Sequence, residues 1–232
     1  MLTNKLECVL RTNPHRASSV NASAHNITGL ILAGGCAHRM HFCDKGLQEL
    51  DGKSLVAHVV SRLTPQVSTL VINANRHLDE YALFGFDVCS DTNLVAASEP
   101  GSEFNYRGPL AGLEAGLIHC KTPYLLTVPC DSPFLPTNLA ARLLAALQQQ
   151  EADIAIACTG ELKHPRAQPV FCLLKKTLLE QLQQYLASGG RKMDGWYGQL
   201  SVARVYFRDE AEFKNINTLE ELQACSKVKK PD

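Results

Sequence analysis

Ile27-Thr28-Gly29-Leu30-Ile31-Leu32-Ala33-Gly34-Gly35-Cys36-Ala37-His38-Arg39-Met40, with Asp44-Lys45 following, is the stretch whose reading decides the fold. Its first residues, Ile27 to Leu32, form a short apolar run of the kind that becomes a strand buried on both faces. The run then meets paired glycines. Gly34 and Gly35 lack a Cβ, so the main chain can bend sharply there and touch a ligand. Successive N–H groups in such a bend make an anion-binding concavity. Arg39 offers a fork of donors for phosphate oxygens, and Lys45 a mobile point charge. A strand ending in this way predicts a polyphosphate, hence a nucleotide. Neither the P-loop pattern nor Gly-x-Gly-x-x-Gly occurs in the chain.

Working outward, strand-like and helix-like segments alternate. Thr69–Ile72 runs into Asn73, Phe86–Cys89 stops at Ser90-Asp91, and Tyr124–Val128 ends at Pro129-Cys130-Asp131. Further strands are predicted at Ile154–Cys158, Val170–Leu174 and Val202–Phe207. Helical spacing of apolar residues predicts helices over Ser54–Leu63, Leu78–Phe84, Pro109–Cys120, Thr137–Gln150 and Lys175–Ala187. The last of these is stopped by Ser188-Gly189-Gly190, and Thr218 caps a final helix holding Leu219 and Leu222. The alternation implies an α/β fold of three layers, a mainly parallel sheet with helices on both faces. In open sheets of this kind ligands sit outside the carboxyl ends of the strands. The segment from Leu32 to Lys45, Asn73, Asp91 and Asp131 each follow such an end. Four polar signals at four strand ends are the strongest sign of a site.

The chain has 232 residues, enough for one large domain with a full core. We expect that domain over 27–225, between an irregular, flexible extension (1–26) and a solvated tail (226–232). With 45% apolar and 20% charged residues it has the composition of a soluble globule. Formal net charge is zero, so no overall field favours nucleic acid or an anionic membrane. No run reaches the roughly 18 apolar residues of a membrane span. Nine scattered cysteines without a Cys-x-x-Cys pair fit a reduced, cytoplasmic protein better than a disulfide or zinc framework. Cys36 and Cys130 adjoin the expected site but are given no catalytic role.

Taken in order, the motifs resemble those of the molybdenum cofactor guanylyltransferases. The resemblance covers about Thr28 to Leu222. It rests on Leu32-Ala33-Gly34-Gly35 with Arg39-Met40 and Asp44-Lys45-Gly46, then Asn73-Ala74-Asn75-Arg76 and Gly108-Pro109-Leu110-Ala111-Gly112. Pro129-Cys130-Asp131-Ser132-Pro133, Gly190-Arg191-Lys192 and Phe213-Lys214-Asn215-Ile216-Asn217-Thr218 complete it. One departure is His41-Phe42-Cys43, where the family usually has glycine after the methionine.

The resemblance implies a Rossmann-like nucleotidyltransferase fold and transfer of GMP from GTP to the phosphate of molybdopterin, with release of pyrophosphate. It implies Mg²⁺ as cofactor, held by Asp131, with Lys45 on the α-phosphate and Arg39 on the leaving pyrophosphate. GTP would lie against Leu32, Ala33, Gly34, Gly35 and Gly112, its nucleoside held by Asn73 and Asp91. Arg191, Lys192, Asn215 and Asn217 would face molybdopterin, with His164-Pro165-Arg166 bordering that side. Trp196, the only tryptophan, is expected in the core. GTP and molybdopterin are the expected partners, with molybdoenzymes or their chaperones beyond them. Two alternatives stay open: a nucleotidyltransferase that uses CTP or a sugar phosphate, and a homologue that binds nucleotide or pterin with weakened catalysis.

Overall fold

The computed structural model describes residues 26–35, 44–91 and 108–227. The outer parts of the expected extension and tail therefore lie outside the described residues, as do Arg39, the His41-Phe42 departure and the loop expected at Thr92–Tyr106.

A seven-stranded sheet organises the chain, in the order β5-β4-β1-β6-β8-β7-β9. These strands are β1 (Ile27–Leu32), β4 (Thr69–Asn73), β5 (Asp87–Cys89), β6 (Tyr124–Pro129), β7 (Ile154–Glu161), β8 (His164–Lys175) and β9 (Val202–Tyr206). Side chains of a strand alternate between faces. Ile27 and Ile31 of β1 enter one core and Leu30 the other, and β8 divides Phe171 and Leu173 from Cys172 and Leu174 in the same way. Helices α1 (Leu55–Leu63) and α4 (Leu139–Gln149) cover the first face with Val56, Val59, Leu63, Leu139 and Leu143. The second face is covered by α3 (Pro109–His119), α5 (Leu179–Ala187) and α6 (Met193–Tyr197), which bury Leu110, Leu113, Leu182 and Trp196. The central strands are covered on both faces, which is why they read as nearly continuous apolar runs.

The three-layer, mainly parallel architecture expected from the alternation is present. Trp196 is wholly buried, as expected. One strand runs against the rest: β8 is antiparallel to both β6 and β7. Only Leu162-Lys163 joins β7 to β8, and so short a connection can make only a hairpin, since a parallel crossover needs a dozen residues or more. These two strands also run longer than the apolar segments that predicted them. A small hairpin, β2 (Glu49–Leu50) with β3 (Lys53–Ser54), precedes α1. Its turn is Asp51-Gly52, both with positive φ, the pairing favoured in tight hairpins. The short helix α2 (Leu78–Ala82) buries Tyr81. The final helix, α7 (Leu219–Lys227), begins as expected: Thr218 Oγ1 accepts from Glu221 N at 3.1 Å. Among the described residues no helix is long and apolar enough to cross a membrane.

Candidate active site

Strand pairing continues past the strand ends and fixes where the site's loops begin. Ala33 N donates to Asn73 O, Ala74 N to Cys89 O and Cys130 N to Leu32 O, at 2.8, 2.9 and 3.1 Å. The residues that leave the carboxyl ends of β1, β4, β5 and β6 therefore converge on one cleft. Leu32, Ala33, Gly34, Gly35, Lys45, Asn73, Asp91, Gly112, Asp131 and Asn215 all line it, joined by Asp44, Gly108, Pro109, Pro129, Cys130 and Val170. Nearly the whole expected nucleotide set is brought together.

On the β4 side the polar groups form a closed network. Asn73 is buried, and its Nδ2 donates to Asp91 Oδ1 at 3.0 Å. Asn75 Nδ2 donates to Asp91 Oδ2 at 2.9 Å, while Asn75 Oδ1 accepts from Asp91 N at 3.0 Å. Two amides thus hold one carboxylate in a fixed orientation at the mouth of the sheet. The sequence reading had no role for Asn75. The signal available was its spacing, because in extended chain residues i and i+2 share a face.

Gly112 belongs to the same cluster. A Cβ there would stand 2.4 Å from Asn73 Oδ1 and 2.8 Å from Leu32 Cδ2, so α3 can approach β1 and β4 only without one. Gly112→Ala is expected to push Asn73 off Asp91. Urea unfolding should show a loss of about 1–3 kcal/mol, the usual cost of overpacking, together with a raised KM for the nucleotide.

On the other side stand Lys45 and Asp131. Asp44 anchors the chain before Lys45: its Oδ1 accepts from Gly46 N at 3.0 Å and from the buried Tyr81 hydroxyl at 2.5 Å. Burial, with the neighbouring Cys130 and Asp44, pushes the Tyr81 phenol far up, so it stays a donor. Tyr81 was missed in the sequence. A hydroxyl-bearing aromatic on the buried stripe of a short helix is the signal that pointed to it.

Lys45 Nζ donates to Asn217 Oδ1 at 2.8 Å and lies 3.8 Å from Asp131 Oδ2. Asp131 is 8% exposed, and its Oδ1 is buried without a hydrogen-bond partner among the described residues. Burial raises the Asp131 pKa and Lys45 lowers it, with burial the stronger. A desolvated carboxylate in the wall of a cleft, with one oxygen unpartnered among the described residues, is a fitting ligand for a hard cation such as Mg²⁺. That ion takes one or two protein carboxylates and fills its other positions with water and phosphate. Cys130 is buried with its thiol pushed well up by desolvation, so it is no nucleophile at neutral pH.

The segment expected to face molybdopterin divides. Asn215 Oδ1 accepts from Ser132 Oγ at 2.7 Å, and Ile216 N donates to Asp131 O at 2.9 Å. With the bond from Lys45 to Asn217, this places Asn215 and Asn217 beside Lys45 and Asp131. Arg191 and Lys192 are exposed, and the Arg191 carbonyl lies 3.4 Å from where a Cβ of Gly108 would stand, at the rim of the cleft. His164 and Pro165 are exposed on the β7–β8 hairpin, and Arg166 is ion-paired with Glu210.

The MobA-like NTP transferase domain matches residues 29–202 of this chain. The chain belongs to the MobA-like NTP transferase family. Within this family it is 50% identical over 199 residues to a molybdenum cofactor guanylyltransferase of Cupriavidus necator, spanning 85% of this chain and 95% of the relative. It is 46% identical over 207 residues to one of Burkholderia lata, spanning 89% and 98%. Among solved structures, the molybdopterin-guanine dinucleotide biosynthesis protein A of Archaeoglobus fulgidus is similar with a TM-score of 0.64 at 20% identity, over 87% of this chain and 97% of that one. The 4-diphosphocytidyl-2C-methyl-D-erythritol synthase of Anaerococcus prevotii gives 0.66 at 14% identity, over 90% and 98%. At those identities the structural likeness shows the shared nucleotidyltransferase fold. The sequence relatives place this MobA-like transferase among the molybdenum cofactor guanylyltransferases.

Proposed function

We propose that this protein transfers GMP from GTP to the phosphate of molybdopterin, forming molybdopterin guanine dinucleotide and releasing pyrophosphate. The observation that carries the chemistry is the meeting of Lys45 and Asp131 in the cleft that Gly34 and Gly35 line, at the carboxyl ends of β1 and β6.

A phosphate oxygen of molybdopterin attacks the α-phosphorus of GTP, and the bond from that phosphorus to the bridging oxygen of pyrophosphate breaks. The acceptor supplies the nucleophile, so the protein aligns the partners and offsets charge. Asn73 and Asp91 hold the ribose, and main-chain groups of Leu32, Ala33 and Gly34 read guanine. Gly112 lets α3 close over them. Lys45, tethered by Asn217, presents its remaining N–H donors to the α-phosphate. Asp131 would hold Mg²⁺ through its unpaired Oδ1. When bound, Mg²⁺ neutralises phosphate charge as it builds. Arg39 is assigned to the pyrophosphate, and Arg191 with Lys192 to the pterin.

Purified protein incubated with molybdopterin, Mg²⁺ and either GTP or CTP tests the reading. Dinucleotide is expected with GTP, and chelation of the metal by EDTA is expected to stop its formation. Product with CTP and none with GTP would overturn it.

A further inference from the structure

Strand β8 leaves the sheet's ladder just where it reaches the cleft. Ile156 of β7 pairs with Cys172, but the next residue, Ala157, pairs with Gln168, so residues 169–171 have no partner on that side. On the other side the pairing with β6 stops at Thr127 opposite Cys172. Pro169 has no N–H to give a ladder, which suits it to such a bulge. The bulge leaves two main-chain carbonyls to be satisfied inside the protein. Tyr197 Oη donates to Pro169 O at 2.9 Å, and Thr127 Oγ1 donates to Val170 O at 2.5 Å. Between the two hydroxyls lies the Cys172 thiol, 3.3 Å from Tyr197 Oη and 3.1 Å from Thr127 Oγ1. Burial raises the pKa of both Tyr197 and Cys172, so each keeps its proton for these bonds.

The place of this bulge in the sheet gives it a task. Val170 lines the cleft beside Pro129 and Asp131, on the β8 side. The nucleoside-holding residues follow β4 and β5, on the opposite side of β1. With the nucleoside on the β4 and β5 side, the β8 side of the cleft is left for the second substrate. Tyr197 also ends α6, the helix that opens directly after Arg191-Lys192. One hydroxyl thus joins that cationic segment to the wall of the cleft.

On the guanylyltransferase reading above, we propose that Tyr197 and Thr127 are positioning residues for the acceptor: by clamping the Pro169 and Val170 carbonyls they fix the wall against which molybdopterin lies. Neither touches the reacting atoms.

The test is steady-state kinetics with each substrate varied separately. Tyr197→Phe and Thr127→Val are expected to raise the KM for molybdopterin roughly five- to tenfold, the size of one buried hydrogen bond lost. The KM for GTP is expected to stay within about twofold. Thr127→Ser, which keeps the hydroxyl, should restore the wild-type KM, and this pair makes the test even if Tyr197→Phe does not fold. Unchanged KM values for molybdopterin, or a parallel rise for GTP, overturn the clamp while the reaction stands. Wild-type protein that binds GTP yet forms no dinucleotide overturns the reaction, and the clamp's role with it.

Discussion

Asp131→Asn is expected to lower turnover by about a hundredfold to a thousandfold, as loss of a group that stabilises transferring charge does, without making the protein less stable near neutral pH. The two halves have one cause. The proposed reaction uses Asp131 as an anion in a desolvated place, and burial there raises its pKa despite Lys45 at 3.8 Å. A carboxyl whose folded-state pKa is raised binds its proton more tightly folded than unfolded. Its charge therefore costs stability at any pH above the raised value. As pH falls through that value toward the ordinary aspartate range the cost disappears, and below that range wild type and variant differ little. Asparagine has the same shape without the charge. Urea unfolding near pH 7 should find Asp131→Asn at least as stable as wild type, with the gap closing on acidification. A large loss of stability at neutral pH would show that the carboxylate is a structural partner.

Lys45→Met is expected to be equally inactive and, unlike Asp131→Asn, destabilised. It takes away the cation that lowers the Asp131 pKa and leaves Asn217 Oδ1 without its donor. Breaking a buried pair from one side costs about 3–5 kcal/mol. The cost here should fall below that range, because the Lys45 side chain is 25% exposed. It should shrink in acid, where Asp131 takes up a proton, and likewise at neutral pH in the double variant Lys45→Met/Asp131→Asn, leaving only the part due to Asn217. Lys45→Arg should not restore turnover, since a planar guanidinium does not fit the point position between Asn217 Oδ1 and Asp131 Oδ2. The checks are single-turnover rates for activity and a double-mutant cycle of unfolding free energies for the coupling. An Arg variant with wild-type rates would show that any positive charge near the phosphate suffices.

Much of this could be read before the structure. Continuous apolar runs such as Leu30-Ile31-Leu32 and Leu70-Val71-Ile72 announced strands covered on both faces, and their polar ends marked the cleft. Reading period and composition along the chain fails where partners are far apart in sequence. Nothing near Lys45 points to Asn217, and Asn215 and Asn217 in their own context look like turn residues. Their partners are Ser132 and Lys45, so the fold sets them beside the Lys45 and Asp131 segments. The direction of β8 was legible in principle from the short connection at Leu162-Lys163. Its exposed first three residues, His164 to Arg166, hid that signal, because a hairpin end in solvent carries no apolar run. The bulge at Pro169 was hidden in the same way: its hydroxyl partners, Thr127 and Tyr197, come from another strand and from a helix.

The tether on Lys45 also bears on the order of synthesis. Asn217 leaves the ribosome 172 positions after the lysine it holds. Asn215 and Ile216, which fasten to Ser132 and to the Asp131 carbonyl, emerge just before it. A nascent chain still short of them already carries every strand of the sheet, yet its lysine has no tether and its Asp131 loop no strap. The strands that shape the cleft are thus translated before the residues that fasten its lysine and its buried carboxylate.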